Sequence, residues 1–468
     1  MRGKKVLVVG AGVSGLAAAM FASERGADVE VVDESSRVGG LLARFSVRGL
    51  DCDLGSHRLH REGLAQPAVA SLMAAVGLDR SLDVRPRRGV LLLGGRRVAY
   101  PPSFFDLARG LGRAGVPFAA SFLRRSSEGA SWDEARMDAP DDASDVGFER
   151  FVRARVGDEA YRAFYRPYVE KVWGLEGGEI SQTVAKARVS TTAPLQLVRS
   201  RASRMLRRLV SRAIGRAPRD EGEFVYPRAG MSSFVDALVA SLLARGVRLG
   251  AQAPQLVDGR ALAARSDVDL VLHAGRLRDL VPAHAASLQH RGVYVLHLVL
   301  PISRVGVAET YYTPEARWWF GRVAEVQNYA PALRREGETT LTVEIPEGRW
   351  GPSMRFDEGA LRDELLDQLR ACGIVPRGVH PIELVQRFSP DVYPLYRRGW
   401  VARWSEAMRD VAAMERVLPF GRQGLFLHCN IDACITMASD AVAHGAAGGD
   451  GRAWAAKARA MLGVRVRD

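Results

Sequence analysis

Residues 5–40 read KVLVVGAGVSGLAAAMFASERGADVEVVDESSRVGG, which places a strand, a glycine-rich turn, a helix and a second strand in succession. The apolar run Val6–Val9 is typical of a buried parallel strand. In the GxGxxG turn that follows, Gly10 permits the tight turn, Gly12 lets the backbone approach a pyrophosphate, and Gly15 packs helix against strand. This order of elements predicts a doubly wound α/β domain that binds a dinucleotide.

The two ends of this unit predict where the phosphates and the sugar of the dinucleotide lie. Val13 and Ser14 open the helix, where unpaired N–H groups and the helix dipole favour an anion. Asp33 and Glu34 follow the second strand, where a carboxylate accepts from a ribose hydroxyl. The alternative is an α/β turn without a ligand, but strand, turn, helix and acid in this order favour the nucleotide.

A second pair of glycines narrows the cofactor. Arg37-Val38-Gly39-Gly40 comes just after the second strand, and this RxGG segment resembles the superfamily of FAD-dependent amine oxidases, protoporphyrinogen oxidases and UDP-galactopyranose mutases. In that superfamily the segment runs past the FAD pyrophosphate. The resemblance implies FAD as the cofactor. It also implies an α/β fold, with a Rossmann-type FAD-binding domain and an inserted substrate domain of helices plus a mostly antiparallel sheet.

The next motif concerns the flavin ring. Gly55-Ser56-His57-Arg58-Leu59-His60 is similar to the Gly-x-His-x-x-His loop of the mutases, with Ser56 where a mutase usually has proline. The resemblance implies that Gly55, Ser56 and His57 lie beside the isoalloxazine and that His57 approaches its reactive edge. The alternative is a loop histidine that bonds to the backbone.

Two later segments resemble the substrate-side sheet of mutase-like proteins. These are Arg322-Val323-Ala324-Glu325 and the pair Tyr393-Pro394. The resemblance implies that Arg322 serves an anionic group of the substrate, a task that suits the planar fork of a guanidinium. A structural ion pair between Arg322 and Glu325 is the alternative. The predicted catalytic residues are His57, Arg322 and Tyr393.

The end of the chain resembles the return of these flavoproteins to their first domain. A turn and strand are predicted over Gly421–His428, followed by a helix through His444. In the superfamily the N-terminus of this helix faces the flavin pyrimidine, where its dipole stabilises negative charge. The remaining predicted cofactor contacts are Ala253, on a strand expected over the adenine, and Gly421, Arg422, Asn430, Ile431 and Asp432.

Between these motifs the pattern predicts a substrate-side region. A hairpin is expected over Arg88–Tyr100, a helical stretch over Phe148–Gly174, and sheet strands over Val293–Ile302 and Glu338–Ile345. The predicted FAD-binding domain comprises residues 1–87, 221–285 and 406–468, the helical substrate or cap region 88–220, and the substrate-side sheet 286–405.

Composition limits the class of protein. The 468 residues are 47% hydrophobic and 25% charged, which is ordinary for a soluble globular chain. Lys+Arg 66 against Asp+Glu 53 gives a net charge of +13, which favours a small anionic substrate, such as a phosphate-bearing one, or an anionic surface. The uncharged run Val6–Ser23 mimics a signal peptide, but the nucleotide motif explains its glycines. We therefore expect a cytoplasmic protein.

The four cysteines predict neither a disulfide scaffold nor a metal site, because their spacing is not that of metal ligands. Cys429 and Cys434 are expected to be small buried packing residues rather than a redox pair.

The segment Arg199–Arg219 carries eight arginines with apolar residues at helical spacing. Its interpretations are a solvated helix face, a membrane-surface contact and a clamp for an anionic substrate. The solvated face is favoured, and at most weak membrane contact is expected. Nucleic acid is disfavoured because no recognised binding motif accompanies the charge.

Three functions remain open. The first is an FAD-dependent oxidoreductase whose flavin N5 accepts hydride from a small-molecule substrate. The second is a sugar-ring mutase that uses reduced FAD, which the Gly-x-His-x-x-His loop and Arg322 favour. The third is a flavin-binding or membrane-docking protein without catalysis, supported by the Arg199–Arg219 segment alone.

Overall fold

The computed structural model describes residues 1–35, 37–100, 104–117, 120, 140–188, 223–250, 258–464 and 466. Its first layer is a five-stranded parallel sheet. In spatial order the strands are β16 (Val417–Pro419), β10 (Leu270–His273), β1 (Lys5–Val9), β2 (Asp28–Val32) and β9 (Arg248–Leu249). The central position of β1 explains its apolar run, since both of its edges pair and both of its faces are covered.

Helices cover both faces of this sheet. Val6 and Val8 of β1 belong to the same hydrophobic core as the Ala-rich helix α1. Leu7 and Val9, on the other face, belong to the core that contains Trp404 and Met408. The helices are α1 (Val13–Glu24), α2 (Arg61–Leu64), α3 (Pro67–Ala75), α4 (Phe104–Gly110), α5 (Phe148–Val156), α6 (Asp158–Ala160), α7 (Arg166–Trp173), α8 (Gln182–Arg188), α9 (Ser232–Ala244), α10 (Gly259–Ala263), α11 (Leu277–Leu280), α12 (Gly359–Ala371), α13 (Trp400–Ala412), α14 (Gly421–Gly424), α15 (Ile431–Ala446) and α16 (Gly451–Met461). Short 3-10 helices span Gly40–Leu42, Gly112–Ala114, Pro282–His284, Val326–Asn328 and Pro331–Leu333.

The second layer is a seven-stranded, mostly antiparallel sheet. In spatial order it contains β15 (Glu383–Pro394), β11 (His290–Leu300), β14 (Thr339–Pro346), β13 (Arg322–Glu325), β12 (Thr310–Tyr312), β6 (Gly89–Leu93) and β7 (Arg96–Tyr100). Only the β12–β6 contact within it is parallel. Two further ladders pair β3 (Phe45–Val47) with β4 (Leu50–Cys52) and β5 (Leu82–Pro86) with β8 (Glu223–Pro227).

The two faces of the seven-stranded sheet have different neighbours. Val323 packs with the core beneath α12, whereas Ala324 packs with the core of the parallel-sheet domain. Because side chains alternate along a strand, Arg322 shares the face of Ala324, and Glu325 shares the face of Val323. The sheet therefore presents Arg322 toward the nucleotide-binding domain.

The predicted hairpin and both predicted sheet strands are confirmed within a few residues, but the helix expected over Phe148–Gly174 is interrupted. Gly157 has φ +84°, which ends α5, and a π-helical turn over Tyr161–Tyr165 separates α6 from α7. At its end, Lys171 Nζ donates to the carbonyl oxygens of Thr313 at 2.7 Å and Phe320 at 3.1 Å. The helical region is thus anchored to the second sheet.

The strand predicted over Gly421–His428 is wrong. The strand lies earlier, at Val417–Pro419, and α14 begins directly at Gly421, whose φ of +77° turns the chain out of the sheet. Among the described residues, no helix is long and apolar enough to cross a membrane, and no His, Cys, Asp and Glu group is suited to a metal ion. The Arg199–Arg219 segment and Ala253 lie outside the described residues.

Candidate functional site

The GxGxxG turn forms a bare backbone surface at the carboxyl edge of the parallel sheet. Gly10 has φ +100°, and a Cβ there would lie 3.1 Å from the Ala274 backbone. A Cβ on Gly15 would lie 1.8 Å from the Gly10 carbonyl oxygen, so this position requires glycine. At Gly12 the nearest described heavy atom to a Cβ would be Gly40 Cα, at 3.9 Å. A side chain at Gly12 would therefore fill the open cradle without disturbing the turn.

The RxGG segment crosses this turn. The Gly39 N–H donates to the Ala11 carbonyl at 2.8 Å, and Gly39 and Gly12 form an isolated parallel bridge. A Cβ on Gly40 would lie 3.1 Å from Gly12 Cα. Two glycine backbones thus meet in front of the N-terminus of α1. The predicted residues that lie together here are Gly12, Val13, Ser14, Gly39 and Gly40, whereas Arg37 is exposed and its N–H donates to Ser35 Oγ at 3.1 Å.

The acid at the end of β2 stabilises the turn itself. Asp33 Oδ2 accepts from the Ala11 N–H at 2.6 Å, and Oδ1 accepts from the Ser35 N–H at 2.7 Å. Each carboxylate oxygen has a second lone pair, so Asp33 can still accept from a ribose hydroxyl. Glu34 instead pairs with Arg276 through two bonds of 2.8 and 2.6 Å. Asp33, rather than Glu34, is therefore the better candidate for the sugar.

The chain end returns to the same cradle. Gly421 lies so close to α1 that a Cβ there would be 2.4 Å from Ser14 Oγ. Arg422 donates from Nη1 to the Cys429 carbonyl at 2.8 Å and from Nη2 to the Val392 carbonyl at 2.5 Å. Asn430 is the N-cap of α15, and Ile431 and Asp432 form its first turn. The start of α15 is therefore packed beside the start of α1.

One carboxylate joins the predicted flavin-side loop to the second sheet. Glu344 Oε1 accepts from the Ser56 N–H at 2.9 Å and from Ser56 Oγ at 3.1 Å. The same carboxylate receives Arg322 Nε at 2.8 Å and Nη2 at 2.6 Å. Gly55 packs closely against the same carboxylate, since a Cβ on Gly55 would lie 3.4 Å from Glu344 Oε1. Loop and sheet thus share one rigid set of hydrogen bonds.

Electrostatics keep His57 neutral and Arg322 charged. Burial, with the Arg322 guanidinium nearby, lowers the pKa of His57 to about 4. Burial alone would lower the pKa of Arg322, but the adjacent Glu344 carboxylate outweighs it and raises that pKa well above its ordinary value. At neutral pH the site therefore offers a neutral imidazole beside a permanent cation.

Tyr393 is the next-to-last residue of β15 and lies near Arg322. Its ring contacts Trp173 of the helical region, with ring centroids 6.2 Å apart, and stands edge-on to His428 at 5.4 Å. Tyr393 also interacts electrostatically with Arg322. The three predicted catalytic residues therefore come from a loop, the second sheet and its edge, and all three border the junction of the two layers.

The structure corrects the alternative interpretation of Arg322, a structural ion pair with Glu325. Glu325 is not the partner of Arg322, because residues three apart on a strand point to opposite faces. Glu325 instead accepts from the Val305 N–H at 2.8 Å and from Thr339 Oγ1 at 2.8 Å. Sequence reasoning did not identify Glu344 as the partner of Arg322, although the two residues lie directly opposite each other in the β13–β14 register. The available signal was a single acid within the apolar strand TLTVEIP.

These residues fit a bound dinucleotide. The open Gly12 cradle, the bare Gly39–Gly40 backbone and the start of α1 suit a pyrophosphate. The Gly55–His57 loop continues the same surface toward the junction of the two sheets, where an isoalloxazine would meet His57 and the substrate side. At the pyrophosphate end, the space beside Gly12 is not filled by a side chain of the described residues.

A family model described as an NAD(P)-binding Rossmann-like domain matches residues 8–76. Protoporphyrinogen oxidase 2 of Arabidopsis thaliana is 29% identical over 36% of this chain, and the match spans 32% of that protein's length. Coproporphyrinogen III oxidase of Propionibacterium freudenreichii is 26% identical over 78% of this chain and 76% of its own.

Solved structures show the same fold over nearly the whole chain. Reduced UDP-galactopyranose mutase matches with a TM-score of 0.77 at 19% identity, covering 100% of this chain and 98% of the mutase. Cyclohexylamine oxidase of Brevibacterium oxydans matches with a TM-score of 0.63 at 16% identity, covering 95% and 99%. At these identities the likeness establishes the fold alone.

Proposed function

We propose that this chain, which belongs to the flavoprotein superfamily of protoporphyrinogen oxidases, amine oxidases and UDP-galactopyranose mutases, is an FAD-dependent oxidoreductase acting on a small anionic substrate. The observation that carries the proposal is the shared carboxylate of Glu344, which holds Arg322 and Ser56 at one point of the site. FAD, when bound, supplies a hydride acceptor for a substrate C–H bond.

FAD rather than a nicotinamide nucleotide is supported by the second glycine pair. Gly39 and Gly40 lie across Gly12, so the cradle has two backbone walls. The returning helix α15 adds a second helix start beside that of α1. A dinucleotide with a large ring system uses both of these features, one at its pyrophosphate and one near its ring.

Arg322 is the residue proposed to orient the substrate. Two of its five N–H donors are fixed by Glu344, and the remaining N–H groups can donate to a carboxylate or phosphate. The side chain is 29% exposed, so it remains open to the site while its orientation is fixed. The net charge of +13 adds a general attraction for anions.

His57 and Tyr393 are proposed to act on protons at the reacting centre. Because its pKa is lowered to about 4, His57 is neutral near pH 7, so a ring nitrogen can accept a hydrogen bond from the substrate and hold a proton only transiently. Tyr393 is held by contacts with Trp173 and His428, and its hydroxyl is a donor or acceptor for the substrate.

The experiment is an anaerobic substrate survey with the purified flavin-loaded enzyme. The panel contains amines, carboxylate-bearing porphyrinogens and nucleotide sugars, which are the classes named in the relatives, and adds alcohols as further hydride donors. Loss of the oxidised-flavin absorption on addition of substrate alone supports the oxidoreductase. An anionic substrate should bleach the flavin at a far lower concentration than its neutral analogue. If both compounds require the same concentration, the proposed role of Arg322 is contradicted.

A nucleotide-sugar mutase is the second candidate. The observation that favours it is the Gly55–His57 loop, which has the mutase-like histidine spacing and is bonded through Glu344 to Arg322. In a mutase, Arg322 would bind the diphosphate of the nucleotide sugar. Turnover of a nucleotide sugar after dithionite reduction, without net oxidation of the sugar, would establish this function and overturn the first.

A further inference from the structure

Two thiols flank the first turn of α15. Cys429 Sγ and Cys434 Sγ lie 3.7 Å apart, and the two residues are 4% and 3% exposed. Cys429 stands one residue before the N-cap Asn430, and Cys434 is the fourth residue of the helix. These are the positions that apolar residues occupy in a hydrophobic staple. The predicted packing role is therefore present, but the residues in contact are chemically reactive.

The surroundings make the two thiols unequal. The hydrogen bond shared with Cys429 lowers the pKa of Cys434, and Ser14 and Arg422 act in the same direction against burial. The same hydrogen bond, together with burial, raises the pKa of Cys429. The helix dipole also favours an anion at the start of α15. Cys434 is thus the better nucleophile, and Cys429 keeps its proton.

The other two cysteines lack this arrangement. Cys52 and Cys372 are free, and burial raises the pKa of each thiol. The Cys52 thiol donates to the Leu50 carbonyl and the Cys372 thiol to the Leu369 carbonyl, so each thiol is hydrogen-bonded to the backbone of a residue nearby in the sequence. They serve as internal controls within the same chain.

We propose that Cys429 and Cys434 form a reversible redox site that closes to a disulfide when a hydroperoxide oxidises it. The Cys434 sulfur attacks one peroxide oxygen, the O–O bond breaks, and the departing oxygen leaves as water, giving a sulfenic acid. The Cys429 sulfur then attacks the Cys434 sulfur, the S–S bond forms, and the sulfenic oxygen leaves as a second water. Two thiols and one hydrogen peroxide thus give one disulfide and two waters.

Closure would act on the neighbouring site. The sulfur atoms must approach from 3.7 Å to a bond length of about 2.05 Å. The Cys429 carbonyl accepts from Arg422, and Gly421 packs on Ser14. Movement of the thiols therefore pulls on the turn that borders the nucleotide cradle. Burial also limits the oxidant to small molecules.

The test uses the full-length, flavin-loaded protein, reduced, desalted and treated with a small excess of hydrogen peroxide. We expect free thiols to fall from four to two and the intact mass to fall by about 2 Da, both restored by dithiothreitol. Both cysteines lie between Arg422 and Arg452, so one tryptic peptide should carry the mass loss. When this peptide is cleaved further at Asp432, the disulfide should keep the fragments that carry Cys429 and Cys434 joined until dithiothreitol is added. Glutathione disulfide, which is bulky, should leave the native protein unchanged.

Matched variants identify the pair. Cys52→Ser and Cys372→Ser should each retain the mass loss, whereas Cys434→Ser should abolish it. Thermal melting checks that each variant is folded, and wild-type peptide mapping decides the case where Cys434→Ser fails to fold. Four intact thiols after peroxide, sulfinic acid in the tryptic peptide, or a disulfide through Cys52 or Cys372 would each overturn the proposal.

Discussion

The Arg322 guanidinium and the Glu344 carboxylate face each other across β13 and β14 through two parallel hydrogen bonds of 2.8 and 2.6 Å. This fork is set by strand register, since the two residues are direct cross-strand partners. The same carboxylate accepts from Ser56, so Glu344 links the loop next to His57 to the Arg322 guanidinium.

Replacing Arg322 tests its contact with substrate. Loss of a charge-assisted contact costs about 1.5–3 kcal/mol, or roughly 10- to 150-fold in apparent affinity. We expect Arg322→Ala to raise KM for an anionic substrate by that factor and Arg322→Lys to recover part of it, because lysine lacks the planar fork. Arg162→Gln, at an exposed helical ion pair, is the matched control. An unchanged KM in Arg322→Ala would remove Arg322 from the substrate site.

Glu344→Gln tests the shared carboxylate. The variant keeps the side-chain shape but leaves the Arg322 charge without its counter-ion, so we expect the free energy of unfolding to fall by about 1.5–3 kcal/mol. Glu338→Gln is the control, since its pair with Arg48 is half-exposed and should contribute less than about 1 kcal/mol. Urea unfolding of both variants gives the comparison. Equal effects would show that Glu344 has no special structural role.

The contrast between Glu325 and Glu344 shows where sequence reasoning ends. The strand, turn and helix from Lys5 onward are specified by neighbouring residues, and the sequence predicted them together with the cradle. The partner of Arg322 depends on the pairing of β13 with β14, which neighbouring residues do not specify. The interruption at Gly157 was missed for a related reason, because aromatic residues at helical spacing continue past a glycine whose positive φ ends the helix.

Buried histidines predict acid sensitivity. Burial lowers the pKa of His273 from 6.5 to about 4, so between these pH values the unfolded chain binds more protons than the folded one. The stabilising contribution of neutral His273 is complete above pH 6.5 and is lost as pH falls toward 4. We expect His273→Gln to flatten the fall in unfolding free energy between pH 7 and pH 4.5, measured by urea titration. His284→Gln, at a half-buried surface site bonded to Asp410, provides the comparison, and an identical slope in wild type and His273→Gln would contradict the assignment.

Two glycines of one turn should fail in different ways. Gly12→Val projects into the open cradle, so we expect a folded protein with normal thermal melting that no longer binds FAD. Gly15→Ala places a Cβ 1.8 Å from the Gly10 carbonyl oxygen, so we expect loss of the fold itself. Circular dichroism and FAD fluorescence titration separate the two outcomes. FAD binding by Gly12→Val with wild-type affinity would show that the cofactor does not approach this backbone.

The visible absorption spectrum of the purified wild-type protein, before and after incubation with FAD and desalting, tests whether this chain binds FAD. The cradle formed by Gly12, Gly40 and the starts of α1 and α15 predicts one bound FAD per chain, with oxidised-flavin bands that remain with the protein. A folded protein that is colourless as purified and retains no added FAD would show that the cradle does not bind this cofactor.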